Sequence, residues 1–176
     1  MSQDKERVGS WVLAMGVILE AISETEKINL GESTRSRLLA YGNSLAATAN
    51  ALLADTIDEL DFEKLGLKTL SAGNLAVVYG NMVPTSDEAT DRLVVKGNLK
   101  QALGGSLALT EVFNPKEDIL LSYGVTFITI GASIIAIGGG KELRDIENRL
   151  PEIGAWVKAL GAIMVMFSFF LNDNGK

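Results

Sequence analysis

The chain has 176 residues, a net charge of −6 and a pI near 4.7. An acidic chain without a basic patch is not expected to bind nucleic acid, because phosphate contacts need clustered Lys and Arg. It has no cysteine and no histidine. That removes disulfides, thiolate metal sites, imidazole ligands and the commonest general base. No catalytic, cofactor-binding or metal residue can be assigned, and an enzyme is not expected.

Val8 to Leu19 is an apolar run near the amino terminus. Asp4, Lys5, Glu6 and Arg7 cancel in front of it, whereas a signal peptide wants a positive start. The run opens the first of six segments in which a small residue returns after seven positions. These are Gly9/Gly16, Gly42/Ala49, Gly73/Gly80, Gly97/Gly104, Gly124/Gly131 and Gly154/Gly161. Gly66 and Gly138 extend two of the series. Apolar residues do not alternate along these segments, and the segments are too long for strands, so each predicts a helix.

Asn29-Leu30-Gly31-Glu32 is placed to start the second helix. The acidic stretch Asp55, Asp58, Glu59, Asp61 and Glu63 lacks the glycine and glutamate spacing of a calcium loop, and reads as a solvated connection that caps helix starts. Thr85-Ser86-Asp87-Glu88, after Pro84, predicts the start of the fourth helix. Asn114-Pro115-Lys116-Glu117 offers an N-cap, a first-turn proline and a capping-box glutamate for the fifth. Gly138-Gly139-Gly140 is placed to stop it. Gly140-Lys141 is not a phosphate loop, since Glu142 stands where Ser or Thr is needed and a helix precedes it. Pro151 either opens the last helix or kinks a longer one. Asn172-Asp173-Asn174-Gly175 is a polar tail with turn chemistry.

At 100° per residue, positions seven apart differ by only about 20°, so both small residues of a pair share one helix stripe. Small residues follow the first glycine at Ser10, Asn43, Asn74, Asn98 and Ala155, while bulky apolar residues cover the other side. Glycine inside a helix costs about 1 kcal/mol against alanine, so the eleven here cost on the order of 10 kcal/mol. Close backbone approach between neighbouring helices is the natural compensation. The expected fold is all-α: one domain over 1–176, a six-helix antiparallel up-and-down bundle built from Gly-x6-Gly helical repeats. The twelve paired positions are its helix-packing residues, and a dense core is expected. Asn43, Asn50, Asn74, Asn81 and Asn98 fit hydrogen bonding across helices better than a polar pore. Lys96, Lys100 and Lys158 are expected on exposed faces.

The alternation of Gly-Asn or Gly-x-Trp with Ala-x-Gly resembles a family of repetitive helical proteins from bacilli that has no assigned activity. The resemblance implies a helical-repeat protein and carries no site with it.

Two functional expectations follow. The first is a non-catalytic structural or interaction protein, cytoplasmic and self-associating through apolar helix faces. The second is membrane association or pore formation through helices 119–138 and 153–171. Ile119 to Gly140 is a run of 22 residues without a charge, long enough to span a bilayer. Basic residues divide weakly between alternate connections, where a membrane topology wants a clear excess on one side. A small-molecule ligand is not expected, because a dense core leaves no pocket.

Overall fold

The computed structural model describes residues 2–83, 86–116 and 118–171. Six helices follow one another: α1 (Ser2–Glu24), α2 (Glu32–Ala54), α3 (Phe62–Met82), α4 (Asp87–Val112), α5 (Ile119–Glu142) and α6 (Leu150–Leu171). Their starts are set by short polar side chains that accept otherwise unpaired backbone N–H groups. Asp61 accepts from the Lys64 N–H at 2.7 Å, Ser86 from Ala89 at 3.3 Å and Asp118 from Leu121 at 2.8 Å. Gly31 precedes α2 in an extended conformation, with no side-chain cap. Pro151 lies in the first turn of α6 and opens that helix, where its missing N–H costs nothing.

Two boundaries differ from the sequence expectation. The fifth helix does not begin at Asn114-Pro115. Asp118 caps it, while Asn114 donates its backbone N–H to Ser122 Oγ at 2.9 Å and so belongs to the preceding turn. Nor does the glycine triplet stop α5, which runs on to Glu142. Gly138 serves close packing instead: a Cβ there would meet Pro151 Cδ at 2.5 Å. Thr85, Glu117 and the Asn172–Gly175 tail lie outside the described residues.

Consecutive helices are antiparallel. Each packs on its neighbours in the chain, and α6 packs on α1, which closes a ring of six. Among the described residues no helix packs across the ring. One end of the ring carries the starts of α1, α3 and α5 and is called the first end below; the other is the second end.

The heptad-paired glycines meet within three helical hairpins. In α1–α2, a Cβ on Gly16 would stand 2.6 Å from the Gly42 carbonyl oxygen, and one on Gly42 2.5 Å from that of Gly16. In α3–α4 the reciprocal partners are Gly66 with Gly104 and Gly73 with Gly97; in α5–α6 they are Gly124 with Gly161 and Gly131 with Gly154. Gly9 faces Leu53 and Ala49, and Gly80 faces Leu93 and Thr90. The obstructing atoms are mostly backbone, which cannot swing aside. A glycine is thus required by its neighbour rather than by its own backbone angles.

The three other contacts around the ring use different chemistry. Ser71 donates to the Ala47 carbonyl at 2.9 Å between α3 and α2. A side chain on Gly105 would collide with Thr129 between α4 and α5. Trp156 Nε1 donates to Thr25 Oγ1 at 3.0 Å, and Trp11 meets Phe170 edge-on at 5.9 Å, so that α6 closes on α1.

Gly131→Ala is expected to cost about 1–3 kcal/mol, since its Cβ would meet the Gly154 carbonyl oxygen at 2.5 Å. Gly140→Ala, in the same helix with open space around it, should gain up to about 1 kcal/mol from helix propensity. Chemical denaturation of the two variants checks the contrast.

Candidate functional site

In an antiparallel pair that meets at a glycine, the next residue of both helices turns to the same side. Here that side is the ring interior. Ser10, Asn43, Asn74, Asn98 and Ala155 occupy these positions and all are buried. Four residues after a contact glycine comes the other inward position. It holds Glu20 after Gly16, Gln101 after Gly97 and Lys158 after Gly154. These three side chains meet on the axis, although α4 does not pack against α1 or α6.

Lys158 Nζ lies 2.8 Å from Glu20 Oε1 and 2.7 Å from Oε2, and donates to Gln101 Oε1 at 2.5 Å. Gln101 Nε2 donates to Asn43 Oδ1 at 3.3 Å, and Asn43 Nδ2 donates to the Leu39 carbonyl at 3.0 Å. Side chains from α1, α2, α4 and α6 are thus tied at the centre by one chain of bonds. Glu20 and Lys158 are 1% and 2% exposed, so each charge depends on the other for solvation. The expectation that Lys158 lies on an exposed face is corrected. It is the largest fully buried side chain. Lys96 and Lys100 are exposed. Sequence reading missed the pair because its members stand 138 residues apart. The usable signal was two opposite charges in the same slot after a contact glycine.

The asparagines divide. Asn81 donates to the Val77 carbonyl at 2.9 Å and accepts from Ser36 Oγ at 3.1 Å, bridging α3 and α2. Asn74 and Asn98 donate to the Leu70 and Val94 carbonyls, and their Oδ1 atoms are buried without a partner. Asn50 is 2% exposed and makes no side-chain hydrogen bond to any described residue.

Asn50 lines a cavity of about 420 Å³ at the first end. Leu13, Leu53, Leu70, Ala108, Ile128 and Val165 wall it, each four residues after one of the small contact residues. Glu6, Glu63, Glu111 and Asp118 also line it, and among the described residues no Lys or Arg does. The dense core expected from the glycines therefore exists within the hairpins but not along the axis, because closing six rods into a ring leaves room at its ends. Glu63, at the start of α3, is pushed up to about 7 by burial and by the negative charges of Asp61, Glu111 and Glu6. The second end is also acidic. Its Glu24, the last residue of α1, is pushed up to about 7 by burial and by Glu20 and Glu142, against the opposing pull of Arg35 and Lys158. Among the described residues no group of three or more Asp or Glu could hold a metal ion.

The outer surface inverts the usual distribution. Among the described residues, twenty-five large apolar side chains are exposed, against eight Leu, Ile and Val in the core. Alanine supplies most of the remaining core positions. Both tryptophans and all three tyrosines are exposed, by 40% or more. From Val8 to Ser23 of α1, Ile119 to Gly140 of α5 and Ile153 to Leu171 of α6, the charged residues are Glu20 and Lys158 alone. Those two are turned inward onto each other.

Fold and site together define a closed ring of antiparallel helices around a polar, ion-paired axis. The chain belongs to a family of unknown function, DUF6944, whose sequence model matches residues 4–166. No curated protein and no solved structure matches it.

Lys158→Met should cost about 3–5 kcal/mol by stranding the Glu20 carboxylate, whereas the double change E20L/K158M should recover most of that loss. Denaturation of the wild type, both single variants and the double variant measures the cycle. A second expectation concerns pH. Folding raises Glu63 to about 7 from 4.5, so the fold favours its protonated form. Its contribution is fully present below pH 4.5 and is lost as pH rises through 7. Glu63→Gln should therefore raise the thermal midpoint at pH 8 and leave it nearly unchanged at pH 4.

Proposed function

We propose that this is a non-catalytic membrane protein whose α5–α6–α1 side faces lipid acyl chains. The observation that carries the reading is the inverted surface. Large apolar side chains point outward, while Asn, Gln, Ser and a Glu–Lys pair point inward. In water this arrangement leaves the strongest hydrophobic groups unburied, and patches of that extent on a soluble protein mark an interaction surface. In a bilayer the same arrangement is the stable one. Lipid tails solvate Leu, Ile and Phe, while small residues let helices associate by close packing.

Length agrees. α5 and α6 are both long and apolar enough to cross a membrane. The uncharged 119–140 segment of α5 rises about 33 Å, close to the ~30 Å hydrocarbon thickness. Position of the amphipathic rings agrees too. Tyr123 lies one turn in from the first end of α5, and Trp156 under two turns in from the second end of α6, as interfacial aromatic belts require. α4 turns Lys96 and Lys100 outward and marks the side directed away from the acyl chains. We further read the three glycine-zipped hairpins as copies of one Gly-x6-Gly helical unit. The resulting polar axis, closed at mid-depth by Glu20 and Lys158, suits a membrane protein that holds or admits a polar or cationic group.

The same apolar side also fits self-association in water, and one experiment separates the two readings. Cells expressing the protein are fractionated, and the membranes are washed with carbonate. The bilayer reading expects the wild type in the washed membrane pellet and I130K/L160K largely in the soluble pool, since a charge at mid-bilayer costs about 2.5–3.5 kcal/mol. A wild type found in the cytosol as an oligomer that I130K/L160K dissolves to monomers would refute the bilayer reading and establish self-association.

A further inference from the structure

The cavity at the first end has the makings of a ligand site that the membrane reading does not require. Its walls are Leu13, Leu53, Leu70, Ile128, Val165 and Phe169, a surface for a compact hydrocarbon body. Its volume of about 420 Å³ falls within the range of small-molecule pockets. Two features set the ligand's charge and polarity. Among the described residues the lining includes four carboxylic acids and neither lysine nor arginine, so the local field favours a cation. Asn50 is 2% exposed and has no hydrogen-bond partner among the described residues. Its amide lines the cavity, so a ligand there can take up hydrogen bonds that no described residue uses. Asn50 stands four residues before the end of α2, whereas Glu63 is the second residue of α3. The amide therefore lies about 5 Å deeper than the carboxylate.

We propose that this cavity binds a compact apolar amine in its ammonium form. The Asn50 Oδ1 accepts a hydrogen bond from the ammonium. Glu6 and Glu111 at the mouth supply the attracting field, joined by Glu63 at pH 8, where it is ionised, and the leucine, isoleucine and valine walls hold the hydrocarbon. Asp118 contributes less, because it already caps α5 and accepts from Ser168 Oγ at 2.5 Å. The site is internal to the ring, so the inference stands whether lipid or another copy covers the outside.

The test is calorimetric titration of the purified full chain with 1-adamantanamine, against 1-adamantanecarboxylate as a probe of the same shape and opposite charge. The expected result is saturable one-to-one binding of the amine, at least about tenfold tighter than the carboxylate. Two rim changes together, E63Q/E111Q, should weaken the amine by about tenfold and reduce its salt dependence. N50L should weaken it at unchanged salt dependence, and L70W, which fills the cavity, should abolish it. E24Q at the opposite end should bind as the wild type does. Circular dichroism confirms that each variant is folded, and the rim pair keeps the test open if N50L is not. Absence of saturable binding, equal affinity for the carboxylate, or full binding by folded L70W would overturn the proposal. Because the titration uses purified protein, its outcome is independent of where the protein fractionates in cells.

Discussion

Backbone-to-backbone contact between paired helices is the constraint on which the rest of the structure depends. Gly16 with Gly42, Gly73 with Gly97 and Gly131 with Gly154 each place one helix's carbonyl where a partner's Cβ would have to go. Such contact leaves no room for bulk on the facing stripe. At Ser10, Asn43, Asn74, Asn98 and Ala155 the residue after the glycine turns inward and is small. Many of the large side chains are left with the outward directions, while Leu13, Leu53, Leu70, Ile128 and Val165 turn inward at the first end. One local rule therefore fixes the packing of the hairpins and shapes both the axis and the surface.

The axis then needs its own stabilisation. Six rods in a ring do not touch across the middle, and alanine and asparagine do not fill it. Glu20, Gln101 and Lys158 reach the centre, where Gln101 ties α4 to α6, a helix it does not pack against. A buried ion pair is weak evidence for stability in itself, because desolvation offsets much of the attraction. Its effect is clearer on specificity: a ring slipped in register would bury one of these charges alone. In a bilayer the cost of that error rises further, and intramembrane charges of this kind usually mark function.

Much of this was legible in the sequence, and the remainder fails for identifiable reasons. Heptad-spaced glycine reads directly as a packing stripe, because 3.6 residues per turn carries Gly9 and Gly16 to one side. Helix number and antiparallel order follow from segment length and short connections. The start of α5 was misplaced because Asn114-Pro115 and Asp118 are both competent caps, and Ser122 decides between them from inside the helix. The glycine triplet after Ile137 looked like a stop, yet Pro151 of the following helix packs against Gly138 and holds the segment helical. Tertiary contact overrode local propensity there. The burial of Lys158 likewise depends on tertiary context, because ring closure is what brings Glu20 to it. The cavity was invisible because it depends on the radius of the ring, a property of all six helices together. Asn50 could be named beforehand as a polar residue beside the stripe, but its lack of a partner could not.

Tryptophan fluorescence in liposomes of lipids brominated along their chains reports whether acyl chains solvate the α5–α6–α1 surface, with W11F and W156F used to report each indole separately. If they do, chain-bound bromine quenches both tryptophans, and more strongly than aqueous iodide does. Strong iodide quenching of both, with no response to the brominated lipids, would contradict the bilayer reading.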